Sequence, residues 1–209
     1  SAEKNNYRAL FEIGFCYDNG QGVEEDEFKA FAYYEKASEN GSAVADYFIG
    51  MQRFTGIGCK EDHGLAFESF CEALNNNIEE AHIWLGTCYL HGSGTPPNYE
   101  MANHHFEAAA GFDPRAELTL GDMKRSGKGC EVNYKAAFRH YLSAAEDGDD
   151  EAMMAVGRAF YYGEGVVEND LEAVKWLSLA ADEKEDEALY LLGECYIQGF
   201  GVDDRPDIG

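Results

Sequence analysis

The sequence predicts an all-α solenoid of five full helix-turn-helix repeats and a sixth half repeat. One glycine recurs every 35 or 36 residues, a Gly-x-Gly pair begins six residues after it, and alanines recur at fixed distances on both sides. A repeat architecture explains such internal recurrence better than any single motif does. The recurring residues, called reference glycines below, are Gly14, Gly50, Gly86, Gly121, Gly157 and Gly193.

The first helix of each repeat, helix A, is predicted from the residues that precede the reference glycine. An alanine lies five residues before it and an aliphatic residue one residue before it, as Ala45 and Ile49 do before Gly50. This spacing puts small and apolar side chains on one stripe of a helix. Helix A is expected to end at the first glycine of the pair, because a left-handed terminal residue costs little only for glycine.

The second helix, helix B, is predicted from an alanine, a bulky residue four positions on and another alanine three further. Ala66, Phe70 and Ala73 show this helical spacing in repeat 2. Twelve residues after the reference glycine stands an Asp or Asn, whose side-chain oxygen can accept from the free amides of a first helical turn. The predicted N-caps of helix B are Asp26, Asp62, Asn98, Asn133 and Asn169.

The Gly-x-Gly pair has two readings, a phosphate-binding loop or a structural turn. A phosphate loop usually follows a strand and opens directly onto a helix. Here the pair follows a predicted helix and occurs six times, as in Gly92-Ser93-Gly94. The pattern therefore favours a turn that keeps the connection to helix B compact.

One solenoid domain is expected over residues 1–209, because no linker or low-complexity tract interrupts the repeats. The sixth repeat stops at "GVDDRPDIG", with Arg205 in place of the helix B cap and Pro206 after it. Either the chain is truncated there or helix A of the sixth repeat closes the stack, and an uncovered apolar edge would favour self-association through the C-terminal half repeat. The approximate repeat bounds are 6–41, 42–77, 78–112, 113–148, 149–184 and 185–209.

The net charge of −24 comes from 40 Asp and Glu against 16 Lys and Arg. Nucleic acid is excluded as an expected partner because phosphate binding needs clustered positive charge. A basic protein or segment is favoured instead. The sequence has no apolar run of membrane-spanning length and no visible signal peptide, so no membrane insertion is expected and the compartment stays open.

No enzyme, metal or cofactor motif is recognisable. The six cysteines include no Cys-x-x-Cys, and Ala, Met or Val replaces several of them in other repeats, which indicates small buried thiols. His104, His105 and His140 form the one notable histidine group. His105 and His140 share a place in helix B where other repeats carry Tyr33 or Trp176, which favours surface residues of an amphipathic helix over metal ligands.

Three segments, "LGTCYLHGSG", "VGRAFYYGEGVVENDLEAVKWLSLAA" and "LGECYIQGFGV", resemble the Sel-one-like repeat family, relatives of the tetratricopeptide repeats. The resemblance covers residues 5–205. It implies a right-handed α/α superhelix whose A helices line a concave face, and an adaptor or scaffold role. The sequence departs from the family pattern where Arg53 and Lys124 replace a tyrosine and where Thr95 replaces a valine.

A second stripe of helix A, beside the packing stripe, is expected to face this groove and bind a protein or peptide. The N-terminal stripe is aromatic and sulfur-rich, whereas the C-terminal stripe adds arginines that could pair with a partner carboxylate. The N-terminal stripe comprises Phe11, Phe15, Tyr47, Met51 and Phe54. The C-terminal stripe comprises Arg125, Arg158, Tyr161, Tyr162 and Tyr190.

The same residues permit a simpler interpretation, in which the aromatics fill inter-repeat packing and the arginines neutralise nearby acids. Two other functions also stay open at this point. One is binding of a small ligand, such as a glycan or cell-wall fragment, on the aromatics. The other is neutralisation of a basic toxin or effector, which the charge alone suggests.

Overall fold

The computed structural model describes residues 2–182 and 186–199. These residues form eleven α-helices and no β-strand, which confirms the all-α repeat prediction. The helices are α1 (Ala2–Asp18), α2 (Glu27–Glu39), α3 (Ala43–Thr55), α4 (His63–Asn75), α5 (Ala81–His91), α6 (Tyr99–Ala109), α7 (Pro114–Ser126), α8 (Tyr134–Glu146), α9 (Asp150–Tyr162), α10 (Asp170–Asp182) and α11 (Asp186–Gln198).

The first ten helices are the A and B helices of five repeats, and α11 is helix A of the sixth. The predicted end of the sixth repeat, with Arg205 and Pro206, lies outside the described residues. Self-association through that repeat therefore stays a prediction.

Two compact units divide the chain, Ser1–His105 and Phe106–Gly209. In the N-terminal unit α1 packs on α2 and α3 on α4, while α3 also contacts α2 and α5 contacts α4. In the C-terminal unit α7 packs on α8, α9 lies between α8 and α10, and α11 contacts α10. Each unit thus repeats one scheme, in which helix A meets helix B of its own repeat and helix B of the repeat before. The expectation of one domain over residues 1–209 stays a proposal.

The start of each helix B is fixed by the residue that the sequence indicates. Asp26 accepts a hydrogen bond from the Lys29 amide at 2.9 Å, and its own amide donates to the Tyr17 carbonyl at 3.0 Å. The first bond satisfies a free amide of the new helix, and the second ties that helix to the end of helix A. The same side-chain cap recurs at Asp62, Asn98, Asn133 and Asn169.

The reference glycine lets the large side chain of helix B lie directly on the backbone of helix A. A Cβ atom at Gly50 would lie 2.6 Å from a ring carbon of Phe70, and one at Gly14 would lie 2.8 Å from the ring of Tyr34. Leu177 covers Gly157 in the same way. Any larger residue at the reference position would push the two helices of the repeat apart.

The Gly-x-Gly pair is a structural turn, as the sequence predicts. The first glycine ends helix A in the left-handed conformation, with a φ of 74° at both Gly56 and Gly92. The second glycine packs against the preceding repeat. A Cβ atom at Gly94 would strike the His63 carbonyl, which belongs to the first residue of α4. Close backbone approach, rather than phosphate binding, accounts for this glycine.

Two basic residues depart from the repeat pattern, Arg53 and Lys124. Each pairs with a glutamate on helix B of the preceding repeat. Arg53 lies 3.5 Å from Glu35 and donates to Ser69 at 3.3 Å. Lys124 pairs with Glu107 at 2.9 Å. In repeat 3 the equivalent Tyr89 instead packs edge-on against Phe67, at 5.4 Å between ring centroids. An ion pair and an aromatic contact therefore serve the same place in different repeats.

A test of the glycine–ring contact compares Gly50→Ala with Gly111→Ala. Gly50→Ala should lower the free energy of unfolding by about 1–3 kcal/mol, because the new methyl group overlaps the Phe70 ring. Gly111 has an ordinary φ and open space around its Cα, so Gly111→Ala should cause no loss. Urea unfolding followed by circular dichroism would measure both. Equal effects of the two changes would refute the steric role of Gly50.

Candidate functional site

The N-terminal stripe begins on α1, where Phe11 and Phe15 belong to an aromatic cluster. The Phe11 ring lies 5.5 Å from that of Tyr34 and 5.3 Å from that of Phe48, centroid to centroid. Phe15 lies 6.3 Å from Phe48, edge to face. Both stripe residues are half-buried. Phe11 therefore joins repeat 1 to repeat 2, in addition to presenting part of its ring at the surface.

The rest of the N-terminal stripe lies on α3 and surrounds Trp84 of α5. Phe54 meets the Trp84 ring at 5.2 Å, and the Tyr47 hydroxyl accepts from the Trp84 indole at 3.3 Å. Met51, Tyr47 and Phe54 all pack against the buried cluster that contains Phe70. The structure thus brings this stripe together as a continuous aromatic contact between helices, and leaves its members only half-exposed.

The C-terminal stripe differs from the N-terminal stripe because it contains two partly buried arginines, Arg125 and Arg158. Arg158 is only 13% exposed and lies 3.5 Å from Glu187 through Nη1. Among the described residues no acceptor reaches the Nε atom of Arg158 or of Arg125, although both atoms are buried. Each of these guanidinium groups therefore has one N–H donor without a partner. A buried donor of this kind costs free energy of folding.

The surroundings of Arg125 keep it charged. Burial acts to lower the pKa of Arg125, but Tyr141, Asp122 and Glu164 raise it above its ordinary value. Asp122 also accepts from the Tyr141 hydroxyl at 2.7 Å, which fixes this carboxylate beside the guanidinium. Arg125 is consequently held in place by its neighbours.

The tyrosines of the C-terminal stripe supply the exposed part of the surface. Tyr162 is 54% exposed and Tyr190 is 66% exposed. Tyr161 packs on the cluster around Leu177 and meets the Tyr162 ring edge-on at 4.9 Å. Tyr162 follows Arg158 by four residues on α9, so an exposed ring and a fixed guanidinium group share one side of that helix.

One polar contact of the N-terminal unit is missed by sequence reasoning. Asp18 accepts from the Tyr34 hydroxyl at 3.1 Å and from the Gln52 amide at 3.0 Å, so it bridges α2 and α3. Burial, followed by the charge of Asp18, raises the pKa of Tyr34 well above its ordinary range. A tyrosine among phenylalanines at this repeat position, as at Tyr34 and Tyr141, is the signal that could have revealed such a bond.

The surface assignment of His105 is wrong. Its side chain is buried, its Nδ1 lies 2.9 Å from Nδ1 of His82, and its ring stacks on Tyr89 at 5.5 Å. Burial, then the charges of His82 and His104, lowers the pKa of His105 to about 4. The equivalent Tyr33 stacks in the same way, on Tyr17 at 5.7 Å. His140, half-buried, contacts Glu117 at 2.7 Å.

All six cysteines are free thiols; Cys88 and Cys195 are buried, and the other four are half-buried. In the described part of the chain, no group of three or more His, Cys, Asp or Glu side chains is placed to hold a metal ion. None of the described helices has the length and apolar character needed to cross a membrane.

Comparison with known proteins points to one family. The family model named Sel1 repeat matches six segments, residues 8–42, 43–75, 79–110, 114–149, 150–184 and 186–206.

Two solved structures share the fold over 98% of this chain. One is c5321, a protective antigen present in uropathogenic Escherichia coli strains, with a TM-score of 0.88, 27% identity and 44% of its own chain covered. The other is a Sel1 repeat protein from Oxalobacter formigenes, with a TM-score of 0.82, 28% identity and 84% of its chain covered.

A curated relative, the ERAD-associated E3 ubiquitin-protein ligase component HRD3B of Arabidopsis thaliana, is 29% identical over 107 residues. These are 51% of this chain, and they span only 17% of HRD3B.

The buried histidine pair predicts a defined pH dependence of stability. The folded-state pKa of His105, about 4, lies below its ordinary value of 6.5. Between pH 4 and pH 6.5, His105 is protonated in the unfolded chain and neutral in the folded chain. Its contribution to the free energy of unfolding is therefore fully present above pH 6.5 and is lost as the pH drops toward 4. The loss should be at most about 1.4 kcal/mol per pH unit from this group.

Urea unfolding at pH 7 and pH 5 would measure this effect in the wild type and in His105→Tyr. Tyrosine is chosen because Tyr33 occupies the equivalent place. The variant should lose less stability than the wild type between the two pH values. An unchanged pH dependence would show that His105 is not its source.

Proposed function

The chain belongs to the Sel1 repeat family, and we propose that it is a non-enzymatic scaffold or adaptor that holds a protein or peptide segment along its A helices. Repeated helix pairs offer an extended surface on which side chains of successive repeats contact one partner. The C-terminal stripe is the proposed main contact, and the N-terminal stripe contributes the exposed edges of its half-buried rings.

The names of two relatives support this class of function. HRD3B is named as a component of an E3 ubiquitin-protein ligase, and another relative is named as the chitin synthase regulator SKT5 of Saccharomyces cerevisiae. A component or a regulator acts together with other proteins. The chain spans 15% of SKT5, so the activities of these larger proteins are not transferred to it.

The observation that carries the proposal is the pair of partly buried arginines that their neighbours hold in place on the C-terminal stripe. The Nε atoms of Arg125 and Arg158 are shielded from solvent, and no acceptor among the described residues satisfies them. A partner carboxylate would bind the exposed part of the Arg158 guanidinium group through a charge-assisted bond. Tyr162 and Tyr190 would then cover apolar side chains on either side of the acid.

The partner is expected to combine this carboxylate with an overall basic character. The net charge of −24 attracts a basic protein and increases its rate of association. Arg125 and Arg158 then determine where a carboxylate of that partner binds. Self-association through the sixth repeat is proposed as a separate property of the chain.

A capture experiment with matched variants tests the stripe. The test variant is Arg158→Ala, Tyr162→Ala, Tyr190→Ala. The control variant is Phe28→Ala, Tyr99→Ala, Tyr134→Ala, which removes exposed aromatics that lie on B helices instead. Quantitative mass spectrometry of proteins retained from an extract of the source organism would identify a partner, and calorimetry would give its affinity.

The test variant should bind the partner at least about tenfold more weakly than the wild type, since Tyr and Arg anchors commonly contribute more than 1 kcal/mol each. The control variant should bind normally, and circular dichroism should show that both variants fold. Equal binding by wild type and test variant would refute the stripe as the binding surface. Retention of only small carbohydrate ligands by the wild type would refute the protein-scaffold proposal.

A further inference from the structure

Repeats 3 and 4 carry different polar pairs at one equivalent place. The residue on helix A lies four positions before the reference glycine, and the residue on helix B lies nineteen positions after it. In repeat 3 these residues are His82 and His105, whose Nδ1 atoms lie 2.9 Å apart. In repeat 4 they are Glu117 and His140, with 2.7 Å between Oε2 of the glutamate and Nδ1 of the histidine. Each pair joins the two helices of its repeat.

The contact between the two histidines depends on how many protons they carry. A hydrogen bond between two Nδ1 atoms needs one N–H donor and one nitrogen with a free lone pair. When both rings are protonated, each Nδ1 carries a hydrogen and two positive charges face each other. The hydrogen bond in repeat 3 is therefore lost once His82 and His105 are both charged.

The surroundings of the histidine pair disfavour its charged form. His105 is buried, and its ring stacks on that of Tyr89 at 5.5 Å between centroids. The exposed His104 ring lies 5.5 Å from the His105 ring, so a third positive charge forms nearby in acid. Burial is the main cause that lowers the pKa of both His82 and His105, and the charge of neighbouring histidines lowers it further.

Neighbouring elements bring further titratable or charged groups near the pair. Those on α4 to α7 and on the turn before α5 include Glu79, Tyr89, Cys71, and the ion-paired Glu107 and Lys124. Glu79 favours the charged form of His82, but burial and His104 outweigh it, because the pKa of His82 is lowered overall. The neutral form of the pair is therefore the one that the folded repeat stabilises.

The pair in repeat 4 responds to acid in the opposite sense. Glu117 and His140 are both half-buried and in direct contact. A proton on His140 turns this contact into a charge-assisted hydrogen bond, as long as the carboxylate stays ionised. A glutamate in place of a histidine on helix A thus changes a contact that acid breaks into one that acid strengthens.

We propose that the contact between His82 and His105 is a pH-sensitive switch that opens repeat 3 locally in acid, while repeat 4 stays closed. Opening separates α5 from the part of α6 that carries His105. Protonation of buried histidines is a known way to change packing at mildly acidic pH. Both histidines lie in the N-terminal unit, so the switch is independent of binding by the C-terminal stripe.

Hydrogen exchange with mass spectrometry at pH 7 and pH 5 measures the opening of each repeat. Protection factors, taken relative to the unfolded chain at the same pH, would be compared between α5 with residues 99–105 of α6 and the helices α7 and α8. Protection in repeat 3 should fall at least about tenfold from pH 7 to pH 5, because one proton bound only in the open state shifts the equilibrium by up to tenfold per pH unit. Protection in α7 and α8 should fall less than about threefold, well below the tenfold that a single proton allows.

Two reciprocal substitutions test the residues themselves. His82→Glu gives repeat 3 the pair of repeat 4, and it should abolish the loss of protection in α5. Glu117→His gives repeat 4 the pair of repeat 3, and it should create such a loss in α7 and α8. Circular dichroism at pH 7 would show that each variant folds. If one variant does not fold, the other substitution and the comparison of repeats in the wild type each still decide the question.

Three results would overturn the proposal. The first is a wild type whose repeat 3 keeps its protection at pH 5. The second is a loss of protection that is equal in all described helices, which would mean global unfolding without a local switch. The third is a folded His82→Glu variant that loses as much protection in α5 as the wild type does.

Discussion

Contact between the reference glycine and the large side chain of helix B is the constraint on which the structure depends. Because the ring of Tyr34, Phe70 or Tyr141 lies against a glycine Cα, the two helices of a repeat approach to backbone contact. The alanines around this contact are buried for the same reason. Close approach then fixes the turn, since the second glycine of the pair must pass the carbonyl of a neighbouring helix B. One requirement for small residues thus explains the recurrence that is visible in the sequence.

This packing decides which part of helix A remains for function. One side of the helix meets two B helices, and the stripe beside it is where we propose that a partner binds. In the N-terminal unit that stripe is largely used for contacts between repeats, through Phe11 and Phe54. In the C-terminal unit it holds Arg158 and exposes Tyr162. The two stripes therefore differ, with fixed charge and exposed rings concentrated in the C-terminal unit, where we propose the main contact with a partner.

Features set by local spacing could be predicted from the sequence, whereas features set by neighbouring helices could not. The caps at Asp26 and Asn133 follow from one residue and the amides beside it. The helical pattern also gives the side of helix A on which Phe15 lies, but it does not say how closely Phe48 approaches. The burial of His105 could not be predicted because it depends on His82 and Tyr89, which belong to another helix. The buried donors of Arg125 and Arg158 likewise depend on side chains that no local pattern specifies.

Site-specific photo-crosslinking tests the central claim, that a protein partner lies on the C-terminal stripe, most directly. A benzophenone amino acid would replace Tyr162, which is 54% exposed on the stripe, or Tyr134, which is 47% exposed on helix B of repeat 4. Illumination in cells of the source organism should yield a discrete adduct from position 162 that Arg158→Ala reduces, and no matching adduct from position 134. An adduct that forms only from position 134, or that forms from position 162 regardless of Arg158, would contradict the account.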